Sequence, residues 1–106
     1  MKTEILYNKL VRDKIPEIIA QQGESANIRI LSDKAYTAAL EQKLDEETAE
    51  FHKEKNLEEL ADILEVVYAL TENLGQTKED LHKVYEEKHE QRGGFRKRIF
   101  LISKEG

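Results

Sequence analysis

Two short acidic motifs, Glu47-Thr-Ala-Glu50 and Glu59-Leu-Ala-Asp62, hold the residues best suited to chemistry. Each places two carboxylates three positions apart, and on a helix such positions are surface neighbours, roughly 5–6 Å between their Cβ atoms. A set of carboxylate oxygens is a hard donor set that favours Mg²⁺ first and Mn²⁺ second. Magnesium usually keeps several waters and binds jointly with the phosphates of a substrate. The chemistry open to these residues is therefore phosphorus chemistry.

Acids are common on solvated helix faces, so the side on which each one falls matters. At about 100° per residue, Tyr36, Leu40, Leu44 and Phe51 form one apolar stripe. Glu47 lies within it, with Glu50 and Lys43 along its margin, whereas Glu41 and Asp45 fall on the far side. On the next helical stretch Glu58, Glu65 and Glu72 make an ordinary wet stripe. Glu59 lies between Val66 and Leu70, and Asp62 borders the same arc. A short turn around residues 53–56 joins the two stretches and favours an antiparallel hairpin. Facing residues of such a hairpin have position numbers of nearly constant sum. Glu50 with Glu59 and Glu47 with Asp62 share one sum, so the two acidic pairs are expected to meet at matching heights.

Four such carboxylates repel one another. A pair 4 Å apart costs about 4 kcal/mol at an effective dielectric of 20, so either protons or a cation must relieve the set. The plain alternative is structural. Asn56 followed by Glu59 matches a capping box, and Lys43, Lys53 and Lys55 are available as ion-pair partners. That alternative has to account for four acids on two helices, in register and turned toward the core.

The elements that must position these residues are helices. Asp13 and Pro16 suit the first turn of a short helix, ending near Gln22 before Gly23. Ser32 or Asp33 caps a second, reaching about Lys53. Asn56 caps a third, over residues 57 to about 74, closed by Gly75. Thr77 caps a fourth, over residues 78 to about 92, ended by Gly93-Gly94. Residues 28–31 and 95–103 read as short extended or strand segments that could pair. The expected fold is mainly α, an antiparallel bundle of about four helices in one domain over residues 1–106.

Composition narrows the classes. The 106 residues suit a single modest core. A net charge of −5 argues against broad duplex binding. With no cysteine, a thiolate nucleophile, a Cys-based zinc site and a disulfide framework are excluded. No long apolar run follows Met1-Lys2-Thr3-Glu4, and no stretch approaches the roughly 18 apolar residues of a membrane span. A cytoplasmic protein without membrane contact is expected.

These residues also carry a resemblance. The ExxE and ExxD pair looks like the signature of the all-α nucleotide pyrophosphatases, which include the MazG proteins, the dimeric dUTPases and phosphoribosyl-ATP pyrophosphohydrolase. Tyr7-Asn-Lys-Leu-Val-Arg-Asp-Lys-Ile-Pro-Glu-Ile-Ile19, Asn56-Leu-Glu-Glu-Leu-Ala-Asp-Ile-Leu-Glu65 and Arg92-Gly-Gly-Phe95 resemble the phosphoribosyl-ATP pyrophosphohydrolase-like branch of the MazG-like proteins. ExxE alone is weak; the ordered set covers nearly the whole chain.

The resemblance implies that Glu47, Glu50, Glu59 and Asp62 hold Mg²⁺. It further implies cleavage of a nucleotide between its α- and β-phosphates, giving a nucleoside monophosphate and pyrophosphate. Glu50 is the foremost candidate to orient or deprotonate the attacking water, with Glu47 beside it and Glu46 a second candidate base. A triphosphate also needs cations. Lys9, Arg12 and Lys14 in the N-terminal segment, Lys43 beside the acids, and Lys88 and Arg92 on the inward stripe of the fourth helix are the candidates for substrate binding. A house-cleaning role against aberrant nucleotides is an expectation of the same kind.

Two alternatives come from other classes. A di-iron centre would use ExxH motifs, and Glu79-x-x-His82 and Glu86-x-x-His89 have that spacing. Both lie on one helix, opposite its apolar stripe, and read as solvated. A non-enzymatic helical module with an acidic seam for a basic partner is the other; the basic residues 92–98 are weak grounds for nucleic acid. Finally, the apolar arc of the third helix spans roughly 220°, against the stripe of about 100° that a surface helix needs. A homodimer or higher homo-oligomer is expected.

Overall fold

The computed structural model describes residues 3–106. Four helices follow one another: α1 (Ile15–Gln21), α2 (Asp33–Lys53), α3 (Leu57–Asn73) and α4 (Lys78–Arg92). The mainly α, four-helix reading holds. Pro16 sits in the first turn of α1, where a missing N–H costs nothing. Side chains cap the other three helices. Ser32 accepts from the Ala35 N–H, Asn56 from Glu59 and Thr77 from Asp80, and Asp80 returns a bond to the Thr77 N–H to complete a capping box. Beyond α3, Gly75 adopts φ +79°, the left-handed conformation in which a Cβ would be strained.

α2 and α3 pack along their lengths as an antiparallel hairpin. The far end is fixed by Asn73, whose Nδ2 donates to Thr37 Oγ1 at 3.0 Å. That pair falls within one of the sum shared by the acidic pairs, so the register holds from end to end. Among the described residues Leu40 of α2 and Val66 of α3 are the buried apolar side chains, at 2% and 7% exposure, and Thr71 is the buried polar one. Thr71 satisfies its hydroxyl by donating to the Val67 carbonyl.

α4 meets α3 only. Tyr68 of α3 shares a 3.1 Å hydrogen bond with His82 Nε2, and the Lys78 ammonium lies 4.6 Å from the Tyr68 ring centre. After Leu81 every residue of α4 is exposed. The inward placement expected for Lys88 and Arg92 is therefore not realised within one chain, because among the described residues none covers the Val84 and Tyr85 face on which they lie.

The expected strands do not form. Among the described residues there is no strand, and residues 28–31 and 95–103 are irregular. Arg98 adopts φ +58°, and its N–H bonds back to the Phe95 carbonyl, so a turn interrupts the alternating run. Ile28, Ile30, Phe100 and Ile102 stay exposed. A lone two-stranded pair with no face to bury is marginal in water.

Candidate metal centre

At the turn end of the hairpin, α2 brings Glu47 and α3 brings Glu59 and Asp62 into one cluster. A carboxylate oxygen from each lies within 4.8 Å of the others, and all three residues are half-buried. The local sequence explains the convergence. Glu47 lies within the stripe that faces α3, and the Asn56 cap fixes where α3 begins, placing Glu59 in its first turn and Asp62 one turn on.

The capping box of Asn56 and Glu59, the plain alternative for that acid, forms only by half. Asn56 Oδ1 accepts from the Glu59 N–H at 2.9 Å. The Asn56 N–H is instead donated to the Glu54 carbonyl. The Glu59 side chain is thus not used in the cap and is left to the cluster. Partial desolvation, then the charges of Asp62, Glu50, Glu47 and Glu54, push its carboxyl above the ordinary glutamate range. Glu50 is exposed and stands outside the close group, near enough for its charge to bear on Glu59.

Three cations reach these acids. Lys43 Nζ lies 3.2 Å from both Glu46 and Glu47, with its side chain only 17% exposed. Lys9 Nζ lies 3.1 Å from Glu46. Arg12 donates to Asp62 Oδ1 at 2.6 Å. Lys9 is held protonated more firmly than usual, first by its hydrogen bond to Glu46 and then by that residue's charge. Desolvation alone would raise the proton affinity of Glu46, but the bonds and charges of Lys9 and Lys43 outweigh it and hold the carboxyl below its ordinary value. A carboxylate so engaged is a poor base, and Glu46 acts as the anchor of Lys9.

The remaining expected cations lie elsewhere. Lys14 is exposed at the N-cap of α1, and among the described residues neither it, Lys88 nor Arg92 forms an ion pair. Lys55 donates to the His52 carbonyl across the turn, so it is no partner for the acids. A shallow groove lined by Asp33, Tyr36, Thr37, Ala69, Glu72 and Asn73 lies at the opposite end of the hairpin. The two histidines of the ExxH motifs are engaged with aromatic rings, His82 with Tyr68 and His89 stacked on Tyr85.

The donor set fits a hard divalent ion. Glu46, Glu47, Glu50, Glu59 and Asp62 bring five negative charges against the three positive charges of Lys9, Arg12 and Lys43, leaving two uncompensated. Three converging carboxylates with that residual charge suit Mg²⁺ or Mn²⁺.

No family model and no solved structure matches the chain. An uncharacterized protein of Mycolicibacterium smegmatis is 60% identical over 42 residues, which are 40% of this chain. The match spans 43% of that protein's length. Among the described residues no helix is long and apolar enough to cross a membrane.

Proposed function

We propose that this chain is a magnesium-dependent nucleotide pyrophosphohydrolase of the MazG-like type, cleaving a nucleoside triphosphate or related phosphoribosyl nucleotide between its α- and β-phosphates. The observation that carries the reading is the convergence of Glu47, Glu59 and Asp62 from two helices, half-buried, with Glu59 left out of the cap that would otherwise explain it. The ordered flanking motifs named above support the same reading.

In this account Glu47, Glu59 and Asp62 hold the ion, and Glu50, outside that close group, faces the attacking water. A bound Mg²⁺ offsets charge on the phosphate oxygens and makes water a better nucleophile. Glu50 is exposed and free of ion pairs among the described residues, which suits a group that must accept a proton from water. Lys9 and Arg12 already stand at the centre and supply the cations for the β- and γ-phosphates. We further propose a homodimer or larger homo-oligomer as the working form, because Leu57, Leu60 and Leu64 on α3 and Val84 and Tyr85 on α4 are uncovered in one chain.

Product analysis tests the reaction. With Mg²⁺ and a panel of nucleoside triphosphates, the expected products of at least one are a nucleoside monophosphate and pyrophosphate. A diphosphate with inorganic phosphate would reject the cleavage position. Absence of turnover together with absence of metal-induced stabilisation would favour the helical interaction module, in which Lys43 and Arg12 simply neutralise the acids.

A further inference from the structure

Two of the three cations at the centre come from outside the hairpin. Residues 3–14 form no helix, yet Lys9 reaches α2 and Arg12 reaches α3, so this segment lies as a strap across the acidic end. The backbone carbonyl of Arg12 accepts from Ile15 N, which ties the residue to the start of α1. The side chain is the part free to move.

The ion pairs differ in how easily they exchange. Lys43 and Glu47 are 17% and 12% exposed, a packed pair within one helix. Arg12 and Asp62 are 55% and 40% exposed, and water can replace either partner at little cost. Asp62 is also one of the three converging ligands. Its Oδ1 already accepts from a guanidinium, so an ion drawn to this carboxylate competes with Arg12 for it.

Resting on the metal-centre reading above, we infer that Arg12 is a placeholder cation whose release from Asp62 couples metal binding to the binding of a polyphosphate. An ion arriving alone displaces the guanidinium into water and loses the pair. An ion arriving with a polyphosphate gives the guanidinium a new anionic partner, to which it can donate two parallel hydrogen bonds. Lys9, on the same strap, gains a second acceptor in the same way. The two ligands therefore bind with positive coupling, and the coupling is reciprocal. The site selects the metal–polyphosphate pair over the bare ion.

The test is calorimetric titration of Mn²⁺ into the wild-type protein, Arg12→Gln, Arg12→Lys and Glu47→Ala, with and without inorganic pyrophosphate at matched free Mn²⁺. Arg12→Gln is expected to bind Mn²⁺ alone about two- to fivefold more tightly than wild type, the range an exposed ion pair allows. It is also expected to lose most of the tightening that pyrophosphate gives the wild type, and Arg12→Lys to retain part of it. A purely structural role for Arg12 would not raise metal affinity. Equal Mn²⁺ affinity in wild type and Arg12→Gln, or undiminished coupling in Arg12→Gln, overturns the inference. If Glu47→Ala still abolishes Mn²⁺ binding in that case, the metal centre itself stands. Lack of Mn²⁺ binding by every protein overturns the metal centre and the inference together.

Discussion

Every charge that raises the proton affinity of Glu59 belongs to another acid, Asp62, Glu50, Glu47 or Glu54. Between the ordinary glutamate value of 4.5 and its raised folded value, the folded chain binds more protons than the unfolded chain. Stability from this group is therefore present below that window and lost as pH rises through it. Two outcomes follow. The melting temperature of metal-free protein at pH 7.5 should rise in Glu59→Gln, and the same substitution should remove most of the stabilisation that added Mn²⁺ gives. An unchanged or lower melting temperature in the variant would contradict the electrostatic account. Glu46 behaves in the opposite sense. Its proton affinity is lowered by Lys9 and Lys43, so its contribution is present above the ordinary value and lost as pH falls. Glu50 has a separate role. Glu50→Gln should lower turnover about 10²- to 10⁴-fold, the range of a general base, and leave Mn²⁺ affinity within a few-fold because Glu50 lies outside the close group. Steady-state rates beside a metal titration measure both, and near-normal turnover would reject its role.

Helix ends were readable because each is fixed by local chemistry. Ser32, Asn56 and Thr77 accept from the first turns they cap, and Gly75 and Gly93 take positive φ beyond the last turns. The acidic register was readable for the same reason, since a short turn between two capped helices leaves little freedom in which residues face. The ion pairs of the strap were not. Lys9–Glu46 and Arg12–Asp62 span 37 and 50 positions, and nothing in the periodicity of α2 or α3 reports on a segment so distant. The sequence marks Lys9 and Arg12 only as candidates for substrate binding; the structure sends Lys9 to α2 and Arg12 to α3. Strand pairing failed for a related reason. Alternation in residues 95–103 marks a segment able to extend, while pairing needs a partner and an apolar face to cover. At this scale the Asn56 cap is the sharpest lever on the site. Asn56→Ala should cost about 1 kcal/mol in denaturant unfolding and weaken Mn²⁺ binding, because the same bond sets where Glu59 and Asp62 stand. Full stability in that variant would show that packing along α2 and α3 alone holds the start of α3.

One chain spans 69 × 32 × 24 Å with a radius of gyration of 18.7 Å, against about 13 Å for a compact domain of this length. Its buried apolar side chains are Leu40 and Val66 among the described residues, a thin core for a chain of this length. The wide apolar arc of α3 is accordingly left half open, with Leu60 and Leu64 at 45% and 47% exposure. Light scattering at micromolar concentration should give a dimer or larger mass, and Leu64→Glu should shift it toward monomer with loss of thermal stability; a monomeric wild type would contradict the proposed assembly. The proposed magnesium centre for nucleotide cleavage, built from the carboxylates shared by α2 and α3, has a more direct test. Pyrophosphate release should be measured across nucleoside triphosphates, with and without Mg²⁺, for wild type and Glu47→Ala. Release should require Mg²⁺ and vanish in Glu47→Ala; release that persists without metal or survives the substitution would rule out this metal centre as the site of cleavage.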